Sequence, residues 1–265
     1  MYNKKGFSEN DFGSMLDKYD YNLHTGDIVA GTVFSKESKG LLVDIGTNIA
    51  GYLPLEEISL TINHSPIEGR IDLLINETRE FFILAYNKKS EQLFLSIKRL
   101  EYIRAWKRIK QMQIEDIIIH THIININKGG VVINLEGLKG FIPNSHLTTQ
   151  KKDLIKIHQI IKCKLLIADE KKNQLILSNK CALLSDFADK FRIGEIVRGQ
   201  ITEIKQYGLF ITIYGIPALL HISEIGHQHI NNIGQIFKVG HNIQVKIIHI
   251  DMKQGRLSVS RKNIN

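Results

Sequence analysis

Arg192-Ile-Gly-Glu-Ile-Val-Arg-Gly-Gln-Ile, Tyr207-Gly-Leu-Phe-Ile-Thr-Ile, Ala218-Leu-Leu-His-Ile-Ser-Glu-Ile and Gly255-Arg-Leu-Ser-Val-Ser-Arg-Lys are four runs that this chain writes three times. An earlier copy reads Thr25-Gly-Asp-Ile-Val-Ala-Gly-Thr-Val, Lys39-Gly-Leu-Leu-Val-Asp-Ile, Gly51-Tyr-Leu-Pro-Leu-Glu-Glu-Ile and Leu93-Phe-Leu-Ser-Ile-Lys. Between them lie Ile114-Glu-Asp-Ile-Ile, Lys128-Gly-Gly-Val-Val-Ile, Gly140-Phe-Ile-Pro-Asn-Ser-His-Leu and Leu175-Ile-Leu-Ser-Asn-Lys. A self-similar period of about 70–80 residues means three copies of one small domain. Lys39 to Pro54 and Lys128 to Pro143 are equally spaced, and Tyr207 to His221 is one residue shorter. That spacing sets Lys39 and Lys128 in the place of Tyr207.

Within each copy the apolar residues alternate: Val29, Gly31 and Val33; Leu41, Val43 and Ile45; Leu93, Leu95 and Ile97. Period-two alternation marks strands with one buried face. Each copy holds five such strands. Pro54 and Pro143 share one repeat position, a turn or strand edge, because proline cannot donate to a ladder. The segments Leu55–Ile71, Ser145–Ile160 and Ile222–Gly240 are long enough for a short helix plus a loop. Five strands with one helical connection describe the partly open OB barrel. The expected fold is all-β: three tandem OB-type five-stranded barrels joined by short helical linkers.

The boundaries expected from this reading are a polar leader over 1–24, barrels over 25–99, 113–180 and 192–262, and linkers over 100–112 and 181–191. The leader carries a short amphipathic piece with Phe12, Met15, Leu16 and Tyr19. Lys98–Met112 has helical spacing, with Leu100, Ile103, Trp106 and Ile109 on one side and a basic face opposite. A charge run of that kind is usually a solvated face.

The 265 residues include 35 Lys and Arg against 27 Asp and Glu, a net charge of +8 and a pI of about 9.3. Such an excess suits an anionic partner, usually nucleic acid. Cys163 and Cys181 form no Cys-x-x-Cys pair, so neither a disulfide framework nor a zinc site is expected. His120 with His122, and His227 with His229, lack a third ligand at a diagnostic spacing. No phosphate loop or nucleophile elbow occurs, and no carboxylate is paired with a base, which argues against an enzyme. No apolar run reaches membrane-spanning length. No cofactor and no metal are expected.

Side-chain parity locates a candidate site in the last copy. Leu209, Ile211 and Ile213 point into the barrel, so Phe210 and Thr212 point out. Tyr207 shares the outer face with Phe210 if Gly208 marks a bulge that resets the phase. On the following strand Ala218 and Leu220 face in, leaving Leu219 and His221 out. On the last strand Leu257 and Val259 face in, leaving Arg256, Ser258 and Ser260 out. Tyr207, Phe210, His221 and Arg256 therefore converge, with Lys205, Lys253 and Lys262 beside them. Aromatic rings, an imidazole and a guanidinium suit single-stranded RNA, whose bases stack and whose phosphates attract cations.

Tyr-Gly-Leu-Phe-Ile, Leu-Leu-His-Ile-Ser-Glu-Ile, and Asp251 followed by Gly-Arg-Leu-Ser-Val-Ser resemble the S1 RNA-binding domain, an OB fold. Three such domains with an Ala-Trp-bearing basic linker resemble the small-subunit ribosomal protein S1 family, in the short form of algal plastids and cyanobacteria. The resemblance implies an RNA face of Tyr207, Phe210, His221, Asp251 and Arg256. It also implies a role in holding messenger RNA on the small ribosomal subunit, whose proteins and ribosomal RNA would be further partners. The alternatives are a non-ribosomal RNA-binding regulator and the RNA-holding subunit of an RNA-decay assembly.

The first two copies depart from that pattern. Lys39 and Leu42, or Lys128 and Val131, stand for Tyr207 and Phe210. Pro54 and Pro143 stand for His221, and Gln92 and Gln174 for Arg256; Asn87 and Asp169 stand for Asp251. These copies are expected to lack a stacking platform and to dock on the ribosome while the third grips RNA. Frequent Ile, Asn and Lys suggest an AT-rich genome, and the acidic-bearing, Arg-free N-terminus does not resemble a transit peptide. Both fit translation inside a plastid, with a bacterial cytoplasm as the alternative.

Overall fold

A computed structural model describes residues 23–60, 67–88, 90–148, 155–226 and 233–264. Most of the expected leader, its Phe12–Tyr19 piece and the His227/His229 pair lie outside the described residues. Two compact units result, Met1–Arg104 with one barrel and Ala105–Asn265 with two.

The first barrel is built from β1 (Ile28–Lys36), β2 (Gly40–Asp44), β3 (Gly51–Pro54), β4 (Thr78–Asn87) and β5 (Gln92–Ser96). The second uses β6 (Ile119–Ile126), β7 (Gly130–Leu135), β8 (Leu138–Pro143), β9 (Ile160–Asp169) and β10 (Gln174–Ser178). The third uses β11 (Ile196–Lys205), β12 (Gly208–Ile213), β13 (Ile216–His221), β14 (Asn242–Asp251) and β15 (Arg256–Ser260). In each, the third strand runs parallel to the fifth, as in Ala218 beside Leu257, and the fourth returns to the first. All three barrels are closed. That differs from the partly open barrel expected, and closure removes the free edges along which sheets aggregate.

Closing so small a barrel requires strongly coiled strands, and β-bulges supply the extra twist. The register slips at Phe34, Ile124 and Thr202 in the first strands, and at Leu84, Leu166 and Ile248 in the fourth. The inward rows are filled by Leu41, Val43, Phe81, Ile83 and Leu95 in the first barrel, and by Leu209, Ile211, Leu220, Val245, Ile247 and Val259 in the third, each fully buried. By the area rule such a side chain contributes about 1.5–3 kcal/mol.

Ser96, Ser178 and Ser260 end the last strands and are buried, although parity turns Ser260 outward. Ser178 Oγ accepts the Cys181 N–H at 3.1 Å and so caps the following helix, and Ser96 Oγ accepts the Arg99 N–H at 2.7 Å. Ser260 faces out but is covered by Glu224. Its hydroxyl hydrogen-bonds the Glu224 carboxyl and is the first cause holding that group below the usual carboxylate range, with Lys262 assisting.

Helix α1 (Ile67–Leu74) precedes β4, and α2 (Ile97–Ile114) follows the first barrel. Leu100, Trp106 and Ile109 are buried on its inward side. Much of the basic face is engaged by acids. In the first unit Arg104 pairs with Glu80, and in the second Arg108 lies 2.8 Å from Glu136 and Lys110 pairs with Glu170. The run reads as a structural spacer. The second linker holds α3 (Asn179–Asp186), ahead of a turn at Ala188–Lys190, and α4 (Ile233–Ile236) precedes β14. Phe187 stacks on Tyr214 with centroids 5.9 Å apart, Phe191 joins them, and Lys190 lies over both Phe187 and Tyr214. This cluster fastens the linker to the third barrel. Cys163 and Cys181 are buried free thiols; burial pushes Cys163 up to about 12.

Candidate nucleic-acid interface

Pairing across the third barrel fixes which residues share its outer face. Phe210 on β12 stands opposite Leu219 on β13, and Leu219 opposite Ser258 on β15. Gly208 stands opposite His221, two residues along the strands from that row. Tyr207 is the turn residue just before β12, 49% exposed, and its ring meets Phe210 edge-on at 6.1 Å. Edge-to-face packing leaves flat surface for a third ring.

The bulge is not where the sequence reading put it. β12 pairs with β13 without interruption from Gly208 to Ile213, and the slip falls on the partner strand, β11, at Thr202. Tyr207 reaches the outer face because it lies in the turn, ahead of the regular strand. Gly208 serves close approach instead: a Cβ there would sit 2.4 Å from the Leu220 carbonyl oxygen. Thr202 Oγ donates to the Phe210 carbonyl at 3.1 Å, tying the bulge to the ring-bearing strand.

His221 is exposed. Its Nδ1 accepts from the Ser223 N–H at 3.3 Å and lies 2.8 Å from Ser223 Oγ. An accepting Nδ1 leaves the proton of the neutral ring on Nε2. Lys205 closes β11 and pairs with Glu203 at 2.5 Å. Its hydrogen bond to Glu203 raises its pKa, so it stays charged.

Asp251 and Arg256 form a second group. They pair across β14 and β15, and Asp251 Oδ1 accepts the N–H groups of Lys253 and Gln254 at 3.0 Å each. Asp251 thus shapes the turn that carries Lys253. Because β13 and β15 are parallel, Arg256 lies two residues from the Phe210–Leu219–Ser258 row on the side away from His221, about 7 Å along the strand. The structure brings Tyr207, Phe210 and His221 together, with Lys205 at their end. It sets Asp251, Lys253 and Arg256 further along the same face.

The earlier barrels correct two expectations. Gly40 pairs with Pro54, Gly130 with Pro143 and Gly208 with His221. The place of Tyr207 in the second barrel therefore belongs to Gly129, and that of Phe210 to Val132; Val131 is a core residue. The equal spacing misled because the first hairpin has one extra residue in its turn.

These barrels also carry rings. Tyr52 and Phe94, neighbours across β3 and β5, meet edge-on at 6.0 Å, and Phe141 sits between Val132 and Ile176. Tyr52 lies over Gly40, where a Cβ would come within 2.5 Å of its ring. Parity holds the missed signal: Gly51 and Leu53 face in, so Tyr52 must face out. Among the described residues no group of three His, Cys, Asp or Glu is placed to hold a metal. No helix among them is long and apolar enough to cross a membrane.

Three five-stranded barrels, one with paired rings and cations on its outer face, define a class of tandem oligonucleotide-binding modules. The family described as S1 RNA binding domain matches residues 22–98, 114–180 and 190–262. Small ribosomal subunit protein bS1c of Pyropia yezoensis is 49% identical over 262 residues, covering 99% of this chain and 98% of the relative. Small ribosomal subunit protein bS1A of Synechocystis is 45% identical over 98% of this chain and 78% of its own length. The bS1c of Spinacia oleracea is 36% identical, over 97% of this chain and 62% of its own. The chain belongs to the S1 family of small ribosomal subunit proteins.

Proposed function

We propose that this protein binds single-stranded RNA on the outer face of its third barrel and, as a component of the small ribosomal subunit, helps bring messenger RNA to translation. The observation that carries the reading is the Tyr207–Phe210 ring pair beside His221, with Arg256 and Lys253 further along the face. Tyr207 is half exposed in a molecule of net charge +8, and each stacked base contributes about 1–3 kcal/mol without demanding a sequence. Asp251 supports Lys253 through the turn, and Lys205 offers charge at the ring end. The protein acts by binding and is not an enzyme. The bS1c relatives support a plastid stroma as its compartment, ahead of a bacterial cytoplasm.

The full chain is expected to bind oligo-U with an affinity that falls as salt rises, and to co-sediment with small ribosomal subunits at moderate salt. RNA binding without co-sedimentation would transfer the reading to a free regulator. Co-purifying nuclease activity would point to a decay assembly. Undiminished oligo-U binding by a Tyr207→Ala, Phe210→Ala variant would remove the site.

A further inference from the structure

One contact is repeated in all three barrels with a single change. After the third strand of each barrel, a short turn sends a side chain to the serine that ends the last strand. Ser96 Oγ donates to Glu57 Oε2 at 2.6 Å in the first barrel, and Glu224 bonds Ser260 in the third. The second barrel has His146 instead, with Nδ1 3.0 Å from Ser178 Oγ. Two residues past each serine stands a lysine: Lys98, Lys180 or Lys262. Lys262 lies 3.5 Å from Glu224. Lys180 has no corresponding carboxylate and donates to the Ser145 carbonyl at 2.6 Å.

The change falls where the second and third barrels of one unit meet. The β14–β15 turn rests on α3: the Cys181 thiol donates to the Lys253 carbonyl at 3.2 Å. A Cβ on Gly255 would come within 2.6 Å of Lys180 Cβ. A cleft of about 740 Å³ opens there, lined by His146 and Cys181 on one side and Met252, Lys253 and Gln254 on the other. The carboxylate that lines it, Asp116, and Asp251 in the adjoining turn are already engaged. Asp116 pairs with Lys164 at 2.5 Å, and Asp251 holds the turn N–H groups. Burial first, then the charges of Lys180 and Arg256, lower the pKa of His146; the close approach of Gly255 to Lys180 sets the start of the Arg256 strand against the same helix. Among the described residues neither Lys180 nor Arg256 has a carboxylate within ion-pair distance.

We propose that this junction is a phosphate subsite for the RNA backbone, formed by His146, Lys253 and Arg256 over the buried charge of Lys180. It continues the ring face of the third barrel onto the second. Arg256 belongs to both, since it lies two residues from the Phe210 row and directly follows Gly255, which packs on Lys180. The site rests on the RNA reading above. Its chemistry is independent of base identity: a histidine replaces the glutamate that would repel a phosphodiester, and a fixed contact between barrels holds the two halves in register.

The test measures the full chain against oligo-U of about four and about sixteen nucleotides, the range of lengths that one barrel of this kind covers. His146→Glu restores the carboxylate of the sister barrels and should fold; Lys180→Met is the second variant, and thermal midpoints check both. The expected result is a salt slope on the long oligomer reduced by about 0.7 for each phosphate that the variant no longer neutralises. The short oligomer, held by the rings, binds as before. Unchanged slopes in a folded variant, with short-oligomer binding intact, overturn the junction site and leave the third-barrel reading standing. Failure of the unmodified chain to bind the short oligomer overturns both.

Discussion

The outer faces of the first and third barrels are built from the same three strands in the same register, yet they place their rings differently. Across the row, the third barrel reads Phe210, Leu219, Ser258 and the first reads Leu42, Tyr52, Phe94. In the third, Tyr207 projects from a turn beside Gly208 and is half exposed. In the first, Lys39 occupies that turn, and Tyr52 lies down over Gly40, closing the space that Tyr207 leaves open. Both pairs meet edge-on, at 6.0 and 6.1 Å, but both rings of the first are half-buried, whereas Tyr207 of the third is exposed. One scaffold thus yields a covered face or an open shelf according to which strand carries the aromatic residue.

The largest effect is expected from removing the shelf. Tyr207→Ala with Phe210→Ala should weaken oligo-U binding by about 1–3 kcal/mol for each ring, read by fluorescence anisotropy at fixed salt. The comparison breaks if Tyr52→Ala costs as much RNA affinity. That substitution should instead destabilise the first barrel by about 2 kcal/mol, the loss of a half-buried ring, seen in urea unfolding with RNA affinity preserved. Lys39→Tyr sharpens the contrast: with Tyr52 over Gly40 the new ring finds no open shelf, so it should add under about 0.5 kcal/mol of affinity. A gain approaching one full stack would show that position alone makes the site.

Charge changes should be smaller. Lys253→Met is expected to leave binding at low salt nearly intact and to reduce the salt slope by about 0.7. Smallest is a pH effect at the one barrel with histidine in place of glutamate. Burial, Lys180 and Arg256 depress the folded-state pKa of His146 below 6.5, so the unfolded chain binds the proton more readily. Stability from this group is complete above pH 6.5 and declines as pH falls below it. Lys164, Lys253 and Asp116 also line the cleft, Asp116 paired with Lys164, and Asp251 holds the turn that carries Lys253. His146→Gln should lose less of its thermal midpoint than the unmodified protein between about pH 7.5 and pH 5.5; equal losses would assign the acid sensitivity elsewhere.

Much of this was legible in the alternation of side chains. The inward rows of β12, β13 and β15 follow from parity, as do the outward Phe210, His221 and Arg256. Parity does not locate the bulge, because the extra residue sits on β11, whose apolar pattern tolerates the slip at Thr202. It cannot align Gly129-Gly130, because two consecutive glycines show no inward side chain. It turns Ser260 to solvent, because the turn that covers this serine arrives from a different strand.

The sequence by itself determined the repeat, the five-stranded all-β barrel and the ring-bearing character of the last copy. These depend on local periodicity and on residue types that no neighbour can alter. Only the tertiary structure decided which rings lie open, that the barrels close, and that Lys253 lines one cleft with His146. Those outcomes depend on pairing register and on the packing of a turn from one barrel against a helix of another, across separations in sequence where periodicity carries no signal.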